Sequence, residues 1–383
     1  MRVISFIIAF VFILAAVFSV GCRVAYPVAE LGVDVLQGQV HDLEWRGVGS
    51  AVDSIIIGGV EYSTSLTWLH LPDMELGNDD IAPLRHMVNL VNLSLSGNQI
   101  SDISPLSGLV DLEWLSLFDN QISDISPLSR LMNLRWLNLE GNLVSHIEPL
   151  SGLASLQELH IRENPVNDSS SLTGFVAIRD VLYSTSLTTL SLFCIGIDDE
   201  DIAPLRYMTS LRHLHIGGCA NCELESADAG DASLISDVSP LSGLISLEAL
   251  TISGNHVSDI SPLANLTNLL ELNLSHNSVC DLSPLASLTN LVELNLSYNS
   301  VHDLSTLANL ANLEELSLSY NLIHDLSPLT SLTNLRFLQL SGNQISDISS
   351  LSGHANLRWV FLSNNEVSDW SPVAHVRNVV GRP

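Results

Sequence analysis

The sequence contains no lysine. All 14 basic residues are arginine, set against 42 aspartates and glutamates for a formal net charge of −28. No basic patch exists to neutralise phosphates, which excludes nucleic acid and anionic lipid surfaces as partners and favours basic or neutral proteins. Charge of either sign is also scarce. Charged residues make up 15% of the chain and hydrophobic ones 46%, so it folds around a core and is no disordered acidic tail. Nucleophile elbows, phosphate-binding loops and general-base constellations are missing, so neither catalysis nor a cofactor is expected.

What the chain does have is a 22-residue period. Leu90, Leu112, Leu134 and Leu156 open four segments, and after a break the beat resumes at Leu247, Leu269, Leu291, Leu313, Leu335 and Leu357. Each segment reads L-x-x-L-x-L-x-x-N-x-I-x-D-I-S-P-L-x-x-L-x-x, as in Leu112 to Asn133. A fixed period of this length predicts a stack of like coils. L-x-x-L-x-L predicts a short strand with its leucines inward and the alternate residues outward. The asparagine that follows (Asn98, Asn120, Asn142) can bond the turning backbone of neighbouring coils, giving a buried amide ladder. Ser-Pro predicts a helix start with serine as N-cap and proline in the first turn, and the few residues left predict a 3₁₀ turn. A lone coil cannot offset its own ordering entropy, so stacking on both neighbours is what makes it fold.

The first 21 residues stand apart. Arg2 precedes an apolar run over residues 3–20 that ends in Val20-Gly21-Cys22, a secretory signal to be set aside from the fold. Gly21-Cys22 resembles a bacterial lipoprotein cleavage site, which implies lipidation of Cys22 and a membrane anchor; plain secretion and an uncleaved anchor are the alternatives. All three place the repeats in an extracytoplasmic space, in the cell envelope or at the surface. Residues 22–65 lack the repeat and are expected to form a linker and cap. The array spans residues 66–383 as about 13 coils, two of them 24 residues long and opening at Leu66 and Leu187. Tyr62-Ser63-Thr64-Ser65-Leu66 recurs as Tyr183-Ser184-Thr185-Ser186-Leu187, and Ile81-Ala82-Pro83-Leu84-Arg85 as Ile202-Ala203-Pro204-Leu205-Arg206, both at an offset of 121. A block of several coils was therefore duplicated as a unit. The junction, residues 165–186, is expected as one long irregular coil and the bend of the superhelix, and residues 220–233 as an inserted acidic loop.

These motifs resemble the leucine-rich repeat family, in the 22-residue form of bacterial internalins and eukaryotic phosphatase-regulatory repeat proteins. The resemblance covers roughly residues 66–379. It implies an α/β-class solenoid: a right-handed superhelix with a parallel sheet on its concave face and 3₁₀ or irregular turns on the convex one. It also implies that the concave face grips a protein. No immunoglobulin-like module follows the array in this sequence, so the resemblance does not extend to host-cell invasion.

In such a stack the third position of each coil lines up as a column at a spacing of about 4.8 Å. The column reads Trp68, Asn92, Trp114, Trp136, Glu158, Thr189, His213, Ala249, Glu271, Glu293, Glu315, Phe337 and Trp359. Four of the six tryptophans stand here, on a face that core packing does not require. Aromatics so placed bury large area in an interface at low entropy cost. We therefore read Trp68, Trp114, Trp136 and Phe118 as partner-binding, together with His70 and His160 two positions along. Glu271, Glu293 and Glu315 add an acidic stripe edged by His276, Tyr298 and Tyr320. The plain alternatives are tryptophans that cover one another, caps at Trp68 and Trp359, and a solvated acidic face. Glycan binding on Trp114 and Trp136, or a structural spacer that binds nothing, are the competing functional readings.

Two patterns mimic metal sites. Asp102, Asp124, Asp237, Asp259, Asp281, Asp303, Asp325, Asp347 and Asp369 recur once per coil as a repeat feature rather than a calcium site. In the run from His213 to Cys222 the histidines His213 and His215 face outward while Cys219 takes the inward asparagine position, so these groups do not converge on one zinc. No metal is expected. Beyond Cys22, the cysteines are Cys194, Cys219, Cys222 and Cys280. An oxidising compartment allows a bridge from Cys194 to Cys219 or Cys222, or one within Cys219–Cys222, and the spacing leaves that choice open.

Overall fold

The computed structural model describes residues 53–166, 173–193, 196–217 and 234–382, all within one compact unit, Val52–Pro383. The signal segment, Cys22, the linker up to residue 52, Cys194, Cys219, Cys222 and the 220–233 loop lie outside the described residues. No helix among the described residues is long and apolar enough to cross a membrane.

The 22-residue period becomes one short strand and one 3₁₀ turn per coil. Strands β1 (Ser54–Ile57) and β2 (Val60–Ser63) form an antiparallel hairpin. Next, β3 (Trp68–His70), β4 (Asn92–Ser94), β5 (Trp114–Ser116), β6 (Trp136–Asn138) and β7 (Glu158–His160) pair in parallel, each with the next. Strands β8 (Phe175–Ile178) and β9 (Val181–Ser184) form a second antiparallel hairpin, and β9 also pairs antiparallel with β7. The array then restarts as a nine-stranded parallel sheet: β10 (Thr189–Phe193), β11 (His213–Gly217), β12 (Ala249–Ser253), β13 (Glu271–Asn273), β14 (Glu293–Asn295), β15 (Glu315–Ser317), β16 (Phe337–Gln339), β17 (Trp359–Phe361) and β18 (Asn378–Val380). Alternation along the strands sends the leucine that follows each outward column residue inward in most coils. Leu93, Leu115 and Leu137 face one another in register and are fully buried.

The junction departs from the expected irregular coil. Residues 175–184 are a hairpin, and they are the copy, at the same offset of 121, of the hairpin at residues 54–63. The hairpin divides the buried side chains into two cores, one running from Ile55 to Leu159 and the other from Ile178 to Val376. Its two faces serve different cores. Phe175 and Leu182 pack on the first, while Val176, Ile178, Val181 and Tyr183 pack on the second. Among the described residues no core lies beyond the first hairpin. Where the second has Phe175 and Leu182, it carries Ser54 and Glu61, hydrogen-bonded to each other. Charged pairs flank the turn of the second hairpin: Arg162 lies 3.6 Å from Asp180, and Arg179 3.1 Å from Asp201. One hairpin is thus seated between the end of one array and the start of the next.

The asparagine ladder forms as expected. Asn120 Oδ1 accepts the Ile100 N–H at 3.1 Å, and its amide donates to the Leu95 and Leu117 carbonyls at 3.0 and 3.1 Å. The turn signal works differently from expectation. Proline does lie in the first 3₁₀ turn, as in Ser104–Leu106, but the serine side chain is not the cap. Instead Asp102 Oδ1 accepts the Ser104 N–H at 2.8 Å, and the bond recurs in every coil that carries this aspartate, through Asp369. An aspartate two residues ahead satisfies the exposed amide because its short carboxylate folds back onto its own backbone. Hydrogen bonding to the charged form holds the Asp124, Asp259, Asp303, Asp325 and Asp369 carboxyls below the usual aspartate range. A second asparagine ladder was not foreseen. Asn133, Asn268, Asn290, Asn312, Asn334 and Asn356 each donate to a carbonyl 23 residues earlier, tying the exposed descending loops together.

Candidate functional site

Strand register places the outward residues in columns, but there are two columns and not one. Trp68, Asn92, Trp114, Trp136 and Glu158 are successive partners on the first sheet. Thr189, His213, Ala249, Glu271, Glu293, Glu315, Phe337, Trp359 and Asn378 are successive partners on the second. Glu158 faces Tyr183 of the hairpin, so it never meets Thr189. The expected single wall is corrected to two, because an antiparallel hairpin cannot pass the parallel register on. Tyr183 is buried there, and burial with the neighbouring Glu158 charge pushes its phenol well above the usual tyrosine range.

On the first sheet Trp114 and Trp136 stack face to face, with centroids 4.5 Å apart and planes within 6°. The strand spacing imposes this: two indoles one strand apart have little room except in parallel. His160 supports the stack from the next strand, its ring 5.1 Å from Trp136 and tilted by 50°. It is 4% exposed, with Nε2 2.6 Å from Glu158 Oε1. His160, expected as a contact residue, is therefore a prop beneath Trp136, because Glu158 and the indole enclose it. Trp68 is 60% exposed at the first strand and stacks on His70 at 5.7 Å. Phe118 is exposed but stands two residues beyond β5, away from the indole pair.

On the second sheet Glu271, Glu293 and Glu315 are exposed and directly opposed in register. Like charges so placed repel. Partial burial, then the charges of Glu271, Glu315 and Glu314, raise the Glu293 carboxyl above its ordinary value. Arg336 is 2.8 Å from Glu314, one position away from the stripe. Across the sheet, His276, Tyr298 and Tyr320 stack with centroids 4.1 and 4.4 Å apart. All three occupy the left-handed region (φ 55°, 58° and 57°), at the turn position that Gly254 and Gly342 fill in flanking coils. Bulky residues adopt this conformation at a cost of roughly 1–2 kcal/mol each, which the stack offsets in part. Gly342 continues the row: a Cβ there would lie 2.6 Å from the Tyr320 ring. Between the tyrosines and the strands runs a groove of about 500 Å³, lined by Asn295, Ser297, Ser319, Gln339 and Phe361 among others. His215, half-buried at the start of this sheet, is held below the usual histidine range by burial and by His213. Among the described residues no group of three or more His, Cys, Asp or Glu is placed to hold a metal ion.

The tyrosines were visible in the sequence, but their stacking was not, because nothing in the pattern marks a left-handed position when glycine is absent. The two-sheet division had a sequence signal in the 121-residue recurrence.

The family model of leucine rich repeats, in two copies, matches residues 88–130 and 311–353. An internalin from Listeria monocytogenes is 30% identical, with 84% of this chain and 89% of that one covered at a TM-score of 0.54. A leucine-rich repeat protein of Leptospira interrogans shares the fold at 23% identity, with 83% and 84% covered and a TM-score of 0.55. No curated protein matches the chain. Periodic leucines, a parallel sheet built one strand per coil and 3₁₀ turns opposite it thus agree with these relatives: the chain belongs to the leucine-rich repeat proteins of the internalin type.

Proposed function

We propose that this is an exported, envelope- or surface-held protein, lipid-anchored at Cys22, whose concave sheet faces bind another protein. The observation that carries the reading is the Trp114–Trp136 stack, a rigid aromatic ridge on a face the core does not need. Trp68 and Phe118 are separate exposed aromatics of the same array, and Glu271, Glu293, Glu315, Tyr298 and Tyr320 give the second sheet a different, acidic character. A basic segment of the partner suits that second face, since the crowded carboxylates gain when a cation enters. The stack also favours protein over glycan. Each indole has spent one face on the other, and Trp136 has His160 against its second side, which leaves the outer face of Trp114 for a sugar and no platform of two rings.

The test is a pull-down from native envelope and from culture surroundings, followed by direct binding of the recovered protein. Trp114→Ala with Trp136→Ala should weaken binding by at least tenfold, the loss of about 1.4 kcal/mol or more expected of an aromatic hot spot. Unchanged affinity in the double variant would overturn the site. Radiolabelled fatty acid tests the anchor: wild type should be labelled and Cys22→Ser unlabelled, and any other result removes it.

A further inference from the structure

One coil breaks the core rule. At the last buried position of a coil stand Leu109, Leu131, Leu153, Leu244, Leu266, Leu288, Leu310 and Leu332, with Met87, Met208 and Val376 in three others, all at most 6% exposed. The next in the series is His354, which is 0% exposed. The same coil departs at a second place: Ser350 stands where most coils have the turn proline. Both departures put polar atoms in an apolar column. His354 Nε2 donates to the Leu329 carbonyl of the preceding coil at 3.0 Å, which fixes the neutral tautomer with its lone pair on Nδ1. That Nδ1 and the Ser350 hydroxyl oxygen are buried without a hydrogen-bond partner. Such a site is costly to keep and gains nothing over leucine in packing.

We propose that His354 is an acid-sensitive latch: protonation of its enclosed ring releases the last coils, residues 349–382, while the rest of the solenoid stays folded. A neutral imidazole fills the leucine position, whereas an imidazolium brings a charge into a column of aliphatic side chains. The titratable group that reaches it is His375 of the following coil, whose Nε2 donates to the His354 carbonyl at 3.0 Å. Protonated, it adds repulsion. From its own turn and the preceding coil His354 meets carbonyls, those of Ser350, Leu351 and Leu329, which favour a proton but do not outweigh burial. The ring is thus held below the ordinary histidine value. A released chain therefore binds the proton first. The latch is fully closed above about pH 6.5 and weakens as pH falls toward the folded-state value, by at most tenfold per pH unit for one proton. Opening would strip Phe361 and Val380 from the end of the tyrosine groove.

Hydrogen exchange on the full chain, corrected for intrinsic rates, reads the latch directly and needs no binding partner. Peptides from 349–382 should hold their protection from about pH 7.5 to about pH 6.5 and then lose it by up to about tenfold per unit toward about pH 5, while those from 90–160 keep theirs throughout. His354→Leu restores the residue its column uses elsewhere, so it folds and its exchange should be flat with pH. His375→Asn should keep the dependence, since His354 remains. A flat wild type, a sloping His354→Leu, or a slope abolished only by His375→Asn each overturns the proposal.

Discussion

Replacing Asn120 with alanine should cost about 2 kcal/mol, and the same change at Asn98 about twice as much. The difference follows from how the ladder shares its bonds. Leu95 O receives amides from both Asn98 and Asn120, and Leu117 O from both Asn120 and Asn142. Removing Asn120 therefore leaves each carbonyl one donor and strands a single group, the buried Ile100 N–H. Asn98 stands at the start of the ladder. Its Oδ1 serves both the Met74 and Leu76 N–H groups, and its amide serves Leu71 O as well as Leu95 O. Removing it strands two donors and the Leu71 carbonyl. At roughly 1–3 kcal/mol per buried unpartnered group, with Met74 able to recruit water, the ratio near two follows. Urea midpoints give the global effect, and exchange-derived opening energies give the local one, since a repeat array need not unfold in one step. An Asn120→Ala cost equal to or above that of Asn98→Ala would refute the sharing argument.

Two further outcomes follow from the turns and the junction. Phe175→Ser with Leu182→Glu gives the second hairpin the two polar residues of the first; it should destabilise the adjoining coils by roughly 2–3 kcal/mol, and hydrogen exchange should rise over residues 136–166 but not over 257–345. Equal effects on both sides would mean that the hairpin does not divide the cores. The depressed carboxyls of Asp124, Asp259, Asp303, Asp325 and Asp369 contribute stability that is present above the unfolded value near about pH 4 and is lost as pH falls through their lower folded values. A thermal-unfolding series should show the Asp325→Asn variant less acid-sensitive than wild type, and an identical pH profile would remove this account.

The solenoid was legible because its period is long and its leucines alternate inward: Leu93, Leu115 and Leu137 fall opposite one another as the spacing requires. The junction was half legible. Tyr62-Ser63-Thr64-Ser65 and its copy at Tyr183 announced a duplication, but the second hairpin turns on Arg179-Asp180 where the first turns on Gly58-Gly59. Arg179 holds φ 53°, a conformation that glycine advertises and arginine conceals. The capping role went to the wrong residue for a similar reason. Serine and aspartate are both good caps, and only coordinates show that the carboxylate two residues earlier reaches the amide. At the candidate site the columns could be read, but not which members had closed on one another. His160 and Glu158 look free in sequence and are bound to each other in the fold.

A hairpin apolar on both sides is at once the floor of one stack and the ceiling of another. Modules ended this way can be multiplied in tandem without inventing a new terminus at each step, since the two copies of the hairpin differ mainly in the side chains of one strand face. Lengthening the molecule, and giving each added segment its own surface chemistry, is then a matter of changing Ser and Glu to Phe and Leu.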